Sequence, residues 1–84
     1  MYTIFITKKA EKSILKLSKD IANKIISKIH TLRAVPFPAG CRKIVGSERD
    51  FRIRVGDYRI IYEVNQKEHQ IIILTAGHRK NVYR

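Results

Sequence analysis

Arginines are concentrated in one stretch of the chain, Asp50–Val64, which reads DFRIRVGDYRIIYEV. Successive side chains of a strand point to opposite faces, so Arg52 and Arg54 share one face of a first strand. Gly56-Asp57 is typical of a two-residue hairpin turn. With that turn, Arg54 stands directly opposite Arg59 on the second strand, so the guanidiniums share a face. Because like charges in opposite positions destabilise a hairpin, the cluster suggests an anionic ligand; the alternative is a solvated basic face.

Guanidinium groups suit the chemistry of phosphate esters. Arginine keeps its charge and donates paired hydrogen bonds to phosphate. Such donors would stabilise the charge that grows on the phosphoryl oxygens when a ribose 2′-OH attacks the neighbouring phosphorus. Arg79 and Tyr83 follow the last predicted strand, and a tyrosine beside arginines has its phenolate favoured, so Tyr83 could exchange a proton. The alternative for Tyr83 is a C-terminal anchor whose ring packs on the sheet.

Other kinds of chemistry find little support in the sequence. His30, His69 and His78 lack the spacing of metal ligands, and the 7 acidic residues show no pairing suited to Mg²⁺. We therefore expect no metal and no cofactor. Cys41 is the single cysteine, so it can form no internal disulfide, and we expect a partly buried small side chain there.

Length and charge restrict the class of protein. The 84 residues fit one domain, 1–84, and the net charge of +11 favours nucleic acid or an acidic protein as partner. No stretch approaches the roughly 18 apolar residues of a membrane span, and no signal peptide is recognisable. We expect a cytoplasmic protein with no membrane partner.

Hydrophobic periodicity predicts the elements that position the arginines. Tyr2–Ile6 is a strand candidate, and two helices follow over residues 8–17 and about 20–34. Thr7 is expected to cap the first helix, and Ser18 or Asp20 the second.

After the helices the pattern changes to that of strands. Arg42–Val45 is a short strand candidate that precedes the arginine hairpin. His69–Ala76 is apolar on both faces, which is typical of a central strand, and Gly77 is expected to end it. The order β-α-α-β-β-β-β predicts an α+β fold. It comprises an N-terminal strand, an antiparallel two-helix hairpin and a mainly antiparallel sheet of three to four strands covered by the helices on one face. Whether the first strand pairs with the last strand or with the hairpin is left open.

The segments FRIRVGDYRIIYEV and GHRKNVYR, separated by a buried strand, resemble the RelE/ParE toxin superfamily, and most of all its RelE branch. The resemblance extends over essentially the whole chain. It implies a RelE-like fold and a toxin of a type II toxin-antitoxin system. It further implies a ribosome-dependent, metal-independent mRNA endonuclease that cleaves A-site codons through 2′-OH attack and so inhibits translation. The implied partners are a cognate acidic antitoxin and the ribosome with its mRNA and rRNA.

The resemblance also implies roles for individual residues. The implied catalytic residues are Arg52, Arg54, Arg59, Arg79 and Tyr83. The implied RNA-binding residues are Arg52, Arg54, Arg59, Lys80 and Arg84. Arg59 would bind the scissile phosphate, Arg79 the phosphate or the leaving group, and Tyr83 would orient or activate the 2′-OH.

The family's RelE has lysines where this chain has Arg52 and Arg54. Since arginine holds its proton, transition-state stabilisation is implied for both rather than general-base catalysis. His78 and Glu48 are alternatives for proton transfer, ranked below Tyr83. Two other functions stay open: a ParE-like toxin that poisons DNA gyrase, and a non-catalytic basic RNA-binding module.

Overall fold

The computed structural model describes residues 1–78, which form five strands and two helices in the predicted order. The elements are β1 Thr3–Ile6, α1 Lys8–Leu15, α2 Lys19–Thr31, β2 Arg42–Lys43, β3 Asp50–Val55, β4 Tyr58–Asn65 and β5 Gln70–His78. The predicted α+β class is confirmed.

Both helices begin at the predicted caps. The Thr7 hydroxyl oxygen accepts a hydrogen bond from the backbone N–H of Ala10 at 3.1 Å, and that of Ser18 accepts one from Ile21 at 3.4 Å. The Thr7 hydroxyl also donates to the carbonyl of Ile73 at 2.9 Å. One side chain therefore satisfies a free donor at the start of α1 and ties that helix to β5.

Both helices end earlier than predicted. α1 ends at Leu15 rather than 17, and α2 at Thr31 rather than 34. Beyond α2 the backbone tightens, because the N–H of Leu32 bonds to the carbonyl of Ile29, three residues back, at 3.0 Å. Neither of these helices, the two within residues 1–78, is long and apolar enough to cross a membrane.

The strands form one five-stranded sheet in the order β1-β5-β4-β3-β2. β1 pairs parallel with β5, and the other neighbours are antiparallel. This settles the position of the first strand and makes β5 an interior strand, as its apolar sequence predicted. The prediction that Gly77 ends β5 was wrong, since Gly77 pairs with Arg59 inside the ladder. The strand expected over Arg42–Val45 is also shorter, because the chain turns after Ile44, whose carbonyl accepts a hydrogen bond from the N–H of Ser47 at 3.1 Å.

The register of the β3–β4 hairpin is the predicted one. Val55 pairs with Tyr58 and Arg54 with Arg59 across the two-residue turn. Gly56 occupies the turn with φ of 62°, a left-handed conformation that this kind of hairpin turn needs and that glycine adopts without strain.

The core lies between the helices and one face of the sheet. The fully buried side chains on the helix side include Ile25 and Leu32, and those on the strands include Ile60, Tyr62 and Ile71. Cys41 is partly buried at the margin of this core, as expected for a lone thiol that acts as a small apolar group. The helices thus cover the face opposite to the arginines.

Candidate active site

Strand pairing brings four arginines together on one face of the sheet. Arg54 pairs directly with Arg59, and Arg42 on β2 pairs directly with Arg52. Directly opposed residues of an antiparallel pair project their side chains from the same face. Because Arg52 and Arg54 are two residues apart on β3, both pairs use one face.

These side chains surround a cavity of about 340 Å³. Its lining residues are Gly40, Arg42, Arg52, Arg54 and Arg59. Arg52 and Arg59 are partly buried, whereas Arg42 and Arg54 are exposed. None of these described lining residues is acidic, so the cavity is suited to an anion.

Two acidic residues do lie on the arginine face, but at the other end of the hairpin. Asp50 pairs with Glu63 there, on the positions that continue the alternation of Arg52. The Glu63 carboxylate accepts a hydrogen bond from Arg49 at 3.4 Å. This ion pair is partly solvated and adds little stability, but it directs the Glu63 charge toward Arg49.

The loop that leads into the cavity is anchored to the core by aromatic rings. The Tyr62 hydroxyl donates to the backbone carbonyl of Pro36 at 2.9 Å. Phe51 lies between Tyr62 and Phe37, with ring centroids 6.0 and 5.0 Å away. Burial, and secondarily the adjacent Cys41 thiol, raises the pKa of Tyr62 well above its ordinary value. Tyr62 is therefore a neutral hydrogen-bond donor that holds the loop.

The alternative proton-transfer residues lie away from the cavity. His78 pairs with Tyr58, and their rings contact edge to face at 5.5 Å, so His78 shares the helix-covered face and not the face of Arg59. Glu48 is exposed in the turn between β2 and β3, at the end of β3 remote from Gly56. Neither lines the arginine cavity. Within residues 1–78, no three histidine, cysteine or acidic side chains cluster closely enough to hold a metal ion.

The remaining candidates lie outside the described residues. They are Arg79, Lys80, Tyr83 and Arg84. Their implied roles stay predictions.

Comparison with known proteins identifies the family. A family model described as "ParE toxin of type II toxin-antitoxin system, parDE" matches residues 4–83. The chain belongs to the RelE/ParE toxin superfamily.

Relatives within this superfamily include archaeal RelE proteins. The protein named "Putative toxin RelE1" of Methanocaldococcus jannaschii is 30% identical over 80 residues, which cover 87% of this chain and 89% of the relative. The archaeal RelE–RelB complex from Pyrococcus horikoshii superposes with a TM-score of 0.83 at 30% identity, covering 96% of this chain and 98% of that one.

A more distant member shares the fold alone. The intact E. coli RelBE toxin-antitoxin complex contains a chain with a TM-score of 0.79 at 20% identity, covering 93% of this chain and 96% of that chain. The superfamily fold thus persists while most side chains change. The chain is accordingly a RelE/ParE-like toxin of a toxin-antitoxin system.

Arg42 is the cavity residue of this toxin that sequence reasoning missed. The strand containing it was predicted, but its partner was not. Consecutive strands pair or neighbour each other in about two-thirds of cases, and this tendency would have placed β2 beside the arginine hairpin. The alternation would then have put Arg42 on the same face as Arg52.

Proposed function

We propose that this toxin is a ribosome-dependent, metal-independent mRNA endonuclease that cleaves the A-site codon by attack of a ribose 2′-OH. The observation that supports this most directly is the cavity lined by Arg42, Arg52, Arg54 and Arg59. Guanidinium groups donate paired hydrogen bonds to phosphate oxygens, so a cavity surrounded by them is suited to a phosphate diester.

The chemistry requires proton transfers and charge stabilisation. The 2′-OH loses its proton, its oxygen bonds to phosphorus, and the bond from phosphorus to the 5′-oxygen breaks. The 5′-oxygen takes up a proton, which leaves a 2′,3′-cyclic phosphate and a 5′-hydroxyl. Negative charge grows on the non-bridging oxygens meanwhile, where Arg52 and Arg59 would donate hydrogen bonds. Since arginine does not release its proton, Tyr83 is the proposed group for proton transfer.

The named relatives support the RelE assignment and suggest the protein partner. The relative in Methanocaldococcus jannaschii is named a RelE toxin, and the Pyrococcus horikoshii and E. coli chains are each bound to RelB. We propose that a cognate acidic antitoxin binds this toxin in the same manner and that its carboxylates neutralise the basic face.

One observation favours a second function. The matching family model is the one named for ParE, so a ParE-like toxin that poisons DNA gyrase is the alternative. Such a toxin has no need of a cavity lined by arginines. A basic RNA-binding module without catalysis would use the arginines but would break no bond.

The deciding experiment presents ribosome-bound mRNA with a single 2′-deoxy nucleotide at the cleavage position. We expect the toxin to cleave the all-ribose message and to leave the 2′-deoxy message intact, because the nucleophile is missing. Arg59→Ala should lower the single-turnover rate by about two to three orders of magnitude. Lys8→Ala, which removes an exposed cation from α1, should leave the rate near that of the wild type.

Each competing function has its own result. Cleavage of the 2′-deoxy message would refute the proposed mechanism. Inhibition of gyrase supercoiling without any cut message would establish the ParE-like function. Binding of mRNA with neither effect would leave the non-catalytic module.

A further inference from the structure

A second basic depression lies beside the arginine cavity, between α2 and β3. It has a volume of about 450 Å³ and is called here the α2 groove. Its lining residues are Asn23, Lys24, Ser27, Lys28, Thr31, Arg54 and Val55. The α2 members recur at intervals of four residues in two adjacent rows, 23/27/31 and 24/28, so they form one strip of the helix surface.

The charged side chains of the α2 groove suit an anionic ligand, although carbon atoms form most of the surface of the groove. Lys24, Lys28 and Arg54 bring positive charge, and no described lining residue is acidic. Lys28 is partly buried, whereas every other lysine of residues 1–78 is exposed. A lysine held against the protein in this way covers apolar surface with its stem.

Arg54 connects the α2 groove to the arginine cavity, because it lines both. A polyanion bound in the cavity can therefore continue into the groove and stay in contact with cationic side chains along the way. Any RNA strand cut at the cavity extends beyond the scissile phosphate, so its flanking phosphates need a path over the protein. We propose that the α2 groove binds the sugar-phosphate backbone of the same single RNA strand that occupies the cavity. This inference rests on the function proposed above and assigns the site of the flanking nucleotides.

The cations of the groove and its continuity with the arginine cavity favour an RNA backbone over an acidic polypeptide. A helical peptide docks through several apolar anchors into a hydrophobic groove. Val55 is the single side chain of apolar type among the described lining residues, and the rest of the apolar surface belongs to the carbon atoms of polar and charged side chains. None of these lining residues is aromatic, so the groove offers no platform for stacking bases. Cationic groups with the hydroxyl of Ser27 and the amide of Asn23 match phosphate and ribose oxygens.

The test compares non-cleavable RNA oligonucleotides of about four and about twelve nucleotides, each with a 2′-deoxy residue at the cleavage position. Wild-type toxin should bind the longer one about tenfold more tightly, because only that one reaches the groove. Lys24→Ala combined with Lys28→Ala should remove most of this gain and leave the short oligonucleotide unaffected. The salt slope for the long oligonucleotide should fall by about 1.4, from about 0.7 for each lost phosphate contact on a single strand.

The matched control is Lys8→Ala combined with Lys12→Ala on α1. This pair has the same spacing and the same loss of charge, both lysines are exposed, and neither lines the groove. We expect it to bind both oligonucleotides as the wild type does. Equal effects from both pairs would overturn the proposal, since net charge would then explain the binding. Thermal unfolding followed by circular dichroism verifies that each variant is folded.

Two further measurements separate the alternatives. If the Lys24/Lys28 variant loses affinity for poly-L-glutamate but not for the long RNA, the groove takes an acidic polypeptide and the proposal is wrong. Cleavage of ribosome-bound mRNA by the wild type tests the proposed function separately. Cleavage together with unchanged long-RNA binding by the Lys24/Lys28 variant would overturn the groove alone. Long-RNA binding through the groove without any cleavage would support the groove and refute the nuclease.

Discussion

Arg42 and Arg52 are suited to bind an anion, but their mutual repulsion lowers the stability of the fold. They are directly opposed on β2 and β3, and both line the cavity. Like charges in directly opposed positions destabilise a strand pair. The cost is about 0.2–1 kcal/mol, comparable to the gain from a favourable cross-strand pair. An anionic ligand bound between the two guanidiniums would offset this repulsion.

Replacing Arg42 should therefore raise stability and lower activity. We expect Arg42→Thr to increase the free energy of unfolding by about 0.2–1 kcal/mol in urea denaturation, because the repulsion with Arg52 is lost and threonine suits a strand. The same variant should cleave ribosome-bound mRNA more slowly. The control is Lys43→Thr, which removes an equal charge from the same strand at the position opposite Phe51. Should Arg42→Thr and Lys43→Thr behave alike in both assays, Arg42 has no special place in the site.

Tyr83 is the proposed proton-transfer residue, and substitution can separate its ring from its hydroxyl. We expect Tyr83→Phe to keep antitoxin binding and to slow single-turnover cleavage at least about tenfold, since a general acid or base contributes roughly two to four orders of magnitude. Tyr83→Ala should be slower still. If Tyr83→Phe cleaves at the wild-type rate while Tyr83→Ala does not, the ring stacks and the hydroxyl does no acid-base work.

At the scale of elements, the loop between α2 and β2 decides where the cavity forms. Its carbonyl at Pro36 is held by the Tyr62 hydroxyl, and its Phe37 ring packs on Phe51. Gly40 and Arg42 follow directly and line the cavity. A buried residue of β4 thus holds, through one hydrogen bond, the loop that leads into the cavity-lining residues Gly40 and Arg42.

Tyr62→Phe tests this anchoring. Loss of the hydroxyl should lower the free energy of unfolding by about 0.5–1.5 kcal/mol, the usual worth of one hydrogen bond. It should also weaken RNA binding, since the loop that presents Arg42 is no longer held. Tyr2→Phe is the control, because the Tyr2 ring contacts His69 and the substitution leaves the hydrogen bond of the Tyr62 hydroxyl in place. Unfolding and oligonucleotide binding of both variants are measured together, and wild-type values for Tyr62→Phe in both would contradict the anchoring role.

The pH dependence of the same variant gives a second check. Folding raises the pKa of Tyr62 above the ordinary value of 10.0, because the buried site accepts only the neutral phenol. Below that ordinary pKa the phenol is protonated in both states and its contribution is complete. Above it, the unfolded chain releases the proton and the folded chain does not, so stability falls as the pH rises. The stability difference between wild type and Tyr62→Phe should therefore shrink above about pH 10.

At the scale of the whole molecule, the helices and the arginine cavity lie on opposite faces of the sheet. The net charge is +11, the helices cover one face of the sheet, and the arginine cavity lies on the other. The electrostatic field of this positive charge speeds the approach of polyanions. A partner that silences the toxin must therefore neutralise the basic surface. An acidic antitoxin would supply that neutralisation.

The complex with the cognate antitoxin should consequently weaken as salt rises. Titration calorimetry between about 0.1 and 1 M salt, where the screening length falls from about 10 to about 3 Å, should show a steady loss of affinity. Arg52→Ala combined with Arg54→Ala should flatten this dependence if the antitoxin covers the cavity. A complex whose affinity does not change with salt, or a basic partner, would contradict the prediction.

The sequence by itself determined the local features of this toxin. The period of two along β3 and β4, with Gly56-Asp57 between them, was enough to place Arg52, Arg54 and Arg59 on one face in the observed register. The caps at Thr7 and Ser18 and the apolar character of β5 were equally readable. These features depend on the pleat of a strand and on the free donors of a helix start, which neighbours in sequence control.

Only the tertiary structure decided which distant segments meet. Pairing of β2 with β3 brought Arg42 into the cavity, and packing of α2 beside β3 placed Lys28 near Arg54. Pairing of β5 with β4 carried the strand through Gly77 and turned His78 to the helix-covered face. The backbone groups of a strand edge can bond to any other strand edge, so local pattern does not select the partner. The choice is made by how all the apolar faces are buried together, and that is a property of the complete chain.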